Sequence, residues 1–128
     1  MSKIPDSISI IVPGYNEEKR IYPTLRALSK FCEYCFERFE MVFVDDGSTD
    51  HTWEIVKGFP ADHLKVIHLH QNRGKGHAVK QGMLLAKGQY RFFTDADLPY
   101  DLGCFLQSIE VFKSSRCDIV IGARDLPE

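Results

Sequence analysis

Two pairs of carboxylates stand where they could hold a cation. Asp95 and Asp97 lie one residue apart after the apolar run Tyr90-Arg91-Phe92-Phe93, and Asp45 and Asp46 close another such run at residues 39–44. Carboxylate oxygens are the hard ligands that Mg2+ or Mn2+ takes, with phosphate oxygens and water completing the octahedron. Alone, a D-x-D more often caps a helix or decorates a turn. The second acid cluster, ending its run in the same way, is what favours chemistry. Other reactive inventories are thin. There is no G-x-S-x-G elbow for acyl transfer. His68 and His70 alternate along one predicted strand with no third ligand at a matching spacing. Cys32 and Cys35 form C-x-x-C, but near the end of a predicted helix, whereas a redox pair follows a strand; with Cys104 and Cys117 they read as reduced thiols.

Positioning such groups falls to alternating strands and helices. Residues 8–12 are a β-branched run stopped by Pro13-Gly14, and Asn16 reads as the N-cap of a helix with Leu25, Leu28, Phe31, Cys32, Cys35 and Phe36 at spacings of three and four. Further strands are predicted at 39–44, 64–70, 89–94 and 118–121. Between them lie helices bearing Trp53, Ile55 and Val56; Ala78, Val79, Met83 and Leu84; and Leu102, Phe105, Ile109 and Phe112. Gly58 and Pro60 close the second helix and Gly88 ends the third. Five strands alternating with four helices predict an α/β, parallel, doubly wound sheet, as one domain over 1–128.

In such a sheet the carboxyl ends of the strands share one rim, where ligands bind. Every unusual polar residue falls there: Tyr15, Asn16 and Glu17 after the first strand, Asp45 and Asp46 after the second, Arg73 and Lys75 after the third, Asp95 and Asp97 after the fourth, Arg124 after the fifth. Acids for a cation and bases for phosphates would face one crevice. Arg73-Gly74-Lys75-Gly76 opens a helix whose free N–H groups suit an anion. It is neither a P-loop nor G-x-G-x-x-G, since Val79 takes the third glycine's place, and a solvated turn accounts for these residues equally well.

With 44% hydrophobic and 27% charged residues and a net charge of -2, the composition is that of a globular domain with no basic stripe for nucleic acid. No stretch of eighteen apolar residues and no leader-like start appear, so the expected location is cytoplasmic.

Taken together, Val12-Pro13-Gly14-Tyr15-Asn16-Glu17-Glu18, Val44-Asp45-Asp46-Gly47-Ser48-Thr49-Asp50, Asn72-Arg73-Gly74-Lys75-Gly76, Thr94-Asp95-Ala96-Asp97-Leu98 and Ile121-Gly122-Ala123-Arg124 resemble, in order, the motifs of inverting family 2 glycosyltransferases. Within that family they are most similar to the enzymes that move a sugar from a nucleotide to dolichyl or polyprenyl phosphate, the dolichyl-phosphate glucosyltransferase type in particular. The resemblance implies a GT-A fold, a divalent Mg2+ or Mn2+ and a nucleotide-diphosphate sugar, of the UDP-glucose or GDP-mannose type, as donor. By motif, Pro13, Tyr15, Glu17 and Asp45 would line the base and ribose pocket with Asp46 beside them, and Arg73 and Lys75 would form the donor-side loop. Asp95 would help hold nucleotide and metal, Asp97 would ligate the metal between diphosphate oxygens, and Arg124 would meet phosphate; Asp97 and Arg124 carry the catalytic roles. Gly14 stands where alanine is usual. Pro99 replaces a polar residue of the mannosyl-type enzymes, which weighs against mannose.

A lipid phosphate has its second pKa at about 6, so it is largely an oxyanion at neutral pH and needs no general base. Such an acceptor would bring the chain to the membrane surface. Family domains continue past the Gly-Ala-Arg motif, so this chain resembles the nucleotide-binding half. Two expectations follow: a non-catalytic donor-binding module as the alternative to a transferase, and a homodimer or partner chain covering apolar surface.

Overall fold

The computed structural model describes residues 2–98 and 101–122. Its elements are β1 (Ile8–Gly14), α1 (Ile21–Cys35), β2 (Phe39–Asp46), α2 (Thr52–Lys57), β3 (Leu64–Leu69), α3 (Lys75–Leu85), β4 (Tyr90–Phe93) and α4 (Gly103–Ser115). The four strands are parallel, in the order β3-β2-β1-β4. The chain therefore winds outward from β1 through β2 to β3, then crosses back to place β4 on the other side of β1. The register pairs Gly14 with Asp45 and Asp46 with Leu69, which brings the loops that follow these strands to one rim.

Residue alternation sorts the side chains onto two faces. Ile8, Ile10 and Val12 of β1 with Met41 and Phe43 of β2 pack under α1, α2 and α4, whose contributions include Leu25, Leu28, Val56, Phe105 and Ile109. Ile11, Val42 and Val44 point the opposite way, under α3 and its Ala78. Every residue of β1 is buried, as expected for a central parallel strand covered on both faces. Each such Ile, Val or Phe contributes roughly 1.5–3 kcal/mol relative to exposure. Among the described residues no helix is long and apolar enough to cross a membrane.

Three sequence expectations change. The predicted fifth strand is absent: residues 118–121 form no ladder, and Ile119 and Ile121 are 77% and 82% exposed. Handedness supplies the reason. A right-handed crossover to a parallel strand beyond β4 needs its helix on the face of α3, yet α4 packs on the face of α1, with Phe105 against Phe31 at a ring separation of 6.2 Å. Second, Asn16 does not cap α1, whose boundary residue is Arg20 without a side-chain cap. Asn16 takes φ 53°, which asparagine tolerates, and turns its amide toward the β2 loop. Third, Gly88 does not terminate α3. The helix stops at Leu85 with Ala86 extended, and Gly88 lies against β1, where a Cβ would sit 2.6 Å from the backbone of Ile8 and Ser9.

Candidate functional site

The loops after β1 and β2 are stitched together by short polar side chains. Ser48 Oγ accepts a bond from the Asn16 N–H at 2.9 Å, and Asn16 Oδ1 accepts from the N–H groups of Thr49 and Asp50 at 2.8 and 3.3 Å. The Glu17 N–H donates to Thr52 Oγ1 at 2.8 Å. Asp50 completes the knot by accepting from the N–H and hydroxyl of Thr52 and the N–H of Glu18. Burial pushes the Asp50 carboxyl up, but these hydrogen bonds together outweigh it and hold its pKa below the usual value. The knot leaves the side chains of Tyr15 and Glu17 on the rim.

The acid pair ending β2 is spent on protein donors. Asp45 is fully buried; its Oδ1 accepts from the Ser48 N–H at 3.2 Å and its Oδ2 lies 2.8 Å from His68 Nδ1. The His68 ring packs on Trp53 of α2, with centroids 4.2 Å apart. Asp46 accepts from the N–H groups of Arg73 and Gly74 at 2.9 and 3.0 Å. It thereby fixes the loop before α3, whose boundary Gly74 has φ 97° and delivers Lys75 to the rim.

Asp95 and Asp97 are held differently. The turn carrying them is pinned through its backbone, with the Thr24 hydroxyl donating to the Ala96 carbonyl and the Leu98 N–H to that of Asp95. Their side chains remain 36% and 48% exposed. Asp95 pairs with Lys75 Nζ, and Asp97 Oδ2 lies 3.8 Å from Arg20 Nη1. A cleft of about 330 Å³ gathers Pro13, Tyr15, Glu17, Asp46, Lys75, Asp95 and Asp97. Asp45 and Arg73 are not in its lining. Arg73 borders a separate depression of about 370 Å³ with His68, His70 and His77. Arg124 and Pro99 lie outside the described residues. Arg20 was not legible as a site residue, because nothing in sequence marks a helix-boundary arginine that reaches another strand's turn.

The residues present fit a divalent cation shared with phosphate. The donor set is two half-exposed carboxylates opening into a cleft, all oxygen, which suits Mg2+ or Mn2+ rather than a softer metal. Among the described residues no group of three His, Cys, Asp or Glu could cage a metal unaided. Mg2+ normally takes one or two carboxylates and completes its shell with phosphate and water. The thiols offer nothing comparable: burial pushes Cys32 up to about 12, with the neighbouring Cys35 adding to the shift, and all four cysteines are unpaired.

Residues 9–128 match the family described as Glycosyl transferase family 2. The dolichyl-phosphate beta-glucosyltransferase of Saccharomyces cerevisiae is 42% identical over 98 residues, which cover 70% of this chain and 29% of that protein. The structure of TarS from S. aureus in complex with UDP-GlcNAc superposes with a TM-score of 0.71 at 31% identity, over 95% of this chain and 37% of the other. The mannosyltransferase PcManGT from Pyrobaculum calidifontis, in complex with GDP-Man and Mn2+, gives a TM-score of 0.66 at 32% identity, over 73% and 28%. The chain spans about 30% of the length of the first curated relatives it matches.

Proposed function

Because the chain belongs to glycosyl transferase family 2, we propose that its rim cleft holds a nucleoside-diphosphate sugar, UDP-glucose in the first instance, for transfer to a polyprenyl or dolichyl phosphate. The observation that carries this reading is the gathering of Tyr15, Glu17, Asp46, Lys75, Asp95 and Asp97 around one cleft of about 330 Å³. Support for glucose and the lipid phosphate comes from the dolichyl-phosphate beta-glucosyltransferases among its relatives, for a uridine nucleotide from TarS with UDP-GlcNAc, and for the metal from PcManGT with GDP-Man and Mn2+.

The residues divide the work by chemistry. Tyr15, half-exposed on the rim, offers an aromatic face to the base, and Pro13, Glu17 and Asp46 line the same cleft. Asp45, buried against Ser48 and His68, acts as a positioning residue for the β2 loop. Lys75 brings positive charge to the phosphate side, and Arg124 would add to it. Asp95 and Asp97 would hold the divalent ion, which supplies positive charge against the diphosphate as it leaves. The acceptor oxyanion attacks the anomeric carbon from the face opposite the diphosphate; the new C–O bond forms as the bond to the diphosphate oxygen breaks, and configuration inverts. No residue need remove a proton, since the phosphate monoester is already ionised.

The test is transfer from radiolabelled UDP-glucose to dolichyl phosphate in Mn2+, with anomeric analysis of the product. Inverted, β-linked glucosyl lipid is expected, and none from Asp97→Asn. Donor binding without transfer would instead assign the chain a donor-holding role.

A further inference from the structure

Both carboxylates of the β4 turn carry a basic partner, and the two partners come from opposite faces of the sheet. Lys75 is the first residue of α3, on one face, and meets Asp95. Arg20 is the boundary residue of α1, on the other, and meets Asp97 at 3.8 Å. Among the described residues neither side chain makes a hydrogen bond that ties it elsewhere. Lys75 Nζ lies over the Phe93 ring, 5.7 Å from its centroid. Arg20 Nε stands 4.0 Å from Glu17 Oε2, an ion pair that, like the 3.8 Å contact with Asp97, is beyond hydrogen-bond reach. Their side chains are 54% and 62% exposed, so both can swing without disturbing the core.

Building on the metal and donor reading above, we infer that Arg20 and Lys75 are placeholder cations: they neutralise Asp97 and Asp95 until a divalent ion takes these carboxylates, and are then released to bind phosphate. The physical reason is charge balance. Two carboxylates one residue apart repel each other, and a single positive charge on each offsets that repulsion. A metal ion arriving alone must break both ion pairs and return two cations to water. Arriving with a diphosphate, it offers the displaced cations new anionic partners. Metal and phosphate therefore favour each other's binding, and by linkage the favour is reciprocal. The phosphate that receives Arg20 has two sources, the donor's diphosphate and the acceptor's monoester.

The experiment is titration of the full chain with Mn2+, followed by the loss of the free-ion EPR signal, for wild type, Arg20→Met, Lys75→Met and the double variant. Thermal melts verify that each is folded. Exposed ion pairs are weak, so Mn2+ alone should bind about threefold more tightly to each single variant and about tenfold to the double. UDP binding in saturating Mn2+ should weaken about tenfold in Lys75→Met, which loses a charge-assisted contact. For Arg20→Met, weakened UDP binding puts the released guanidinium on the donor. Intact UDP binding with loss of a water-soluble prenyl phosphate from the Mn2+–UDP complex puts it on the acceptor. Mn2+ affinity unchanged or lowered in both single variants overturns the inference. Tightened Mn2+ binding in a chain that takes up no UDP would overturn the donor reading while leaving the displacement by metal standing.

Discussion

Two acidic turns of the same sheet, Asp45-Asp46 after β2 and Asp95-Ala96-Asp97 after β4, look alike as sequence and behave as opposites. The first pair is buried and consumed: its carboxylates accept from the backbone of Ser48, Arg73 and Gly74 and meet the ring of His68. The second is half-exposed, its turn held through its own backbone by the Thr24 hydroxyl and the Leu98 N–H, so that among the described residues both carboxylates meet only long, exposed basic side chains. A carboxylate bound by backbone N–H groups is part of the architecture, since removing it strands donors that have no other partner. One bound by a lysine or arginine tip can exchange partners cheaply. The β2 turn builds the rim, and the β4 turn is what the rim presents.

Substitutions in the two turns should therefore separate cleanly. The largest effect is expected for Asp97→Asn. Losing even an outer hydrogen-bond partner of a metal ligand costs about 10- to 100-fold in metal affinity, and losing the charged ligand itself should remove at least that much of the Mn2+-dependent gain in nucleotide binding. The melting temperature should stay within error, because the residue is exposed and packs little. An unchanged Mn2+ dependence would erase the distinction between the turns.

Asp46→Ala should do the reverse. It leaves the N–H groups of Arg73 and Gly74 without their acceptor, costing about 2 kcal/mol in denaturant unfolding. Nucleotide affinity should fall with and without metal, as the loop presenting Lys75 loosens. Asp45→Asn keeps the shape but loses the charge facing His68, so a smaller loss of about 1 kcal/mol is expected, with nucleotide affinity reduced equally in the presence and absence of Mn2+. A loss seen only with metal would move Asp45 into the metal site.

The smallest effect concerns Asp50, whose hydrogen bonds in the β2 knot hold its pKa below the ordinary carboxylate value. A lowered folded pKa gives stability that is present above the unfolded value and lost as pH falls through the folded one. Melting curves of wild type and Asp50→Asn should accordingly differ near neutral pH and converge in acid. A gap that persists at acid pH would mean that the knot does not depend on the charge.

Most of this layout could be read from residue types. The β-branched runs and the three- and four-residue spacing of Leu25, Leu28 and Cys32 place the strands and helices, because each must bury a face whose period is set by the backbone. Tyr15, Glu17, Lys75, Asp95 and Asp97 meet at the rim for the same reason: in a parallel sheet the strand ends point one way. What could not be read depends on partners distant in sequence. Nothing local separates Asp45, consumed by His68, from Asp97, which is exposed. Asn16 has the composition of a helix cap, yet tertiary contacts with Thr49 and Asp50 claim it. Residues 118–121 have the apolar character of a strand, but a strand needs a neighbour, and α4 lies on the wrong face to deliver them beside β4.

The most direct measurement is a calorimetric titration of UDP into the full chain with Mn2+, with EDTA, and with UMP in place of UDP. If the exposed acids of the β4 turn and the bases facing them form a diphosphate site, UDP should bind tightly only with Mn2+, and UMP, lacking the second phosphate, should gain little from the metal. Equal affinity for UDP in Mn2+ and in EDTA, or equal metal dependence for UMP and UDP, would contradict it.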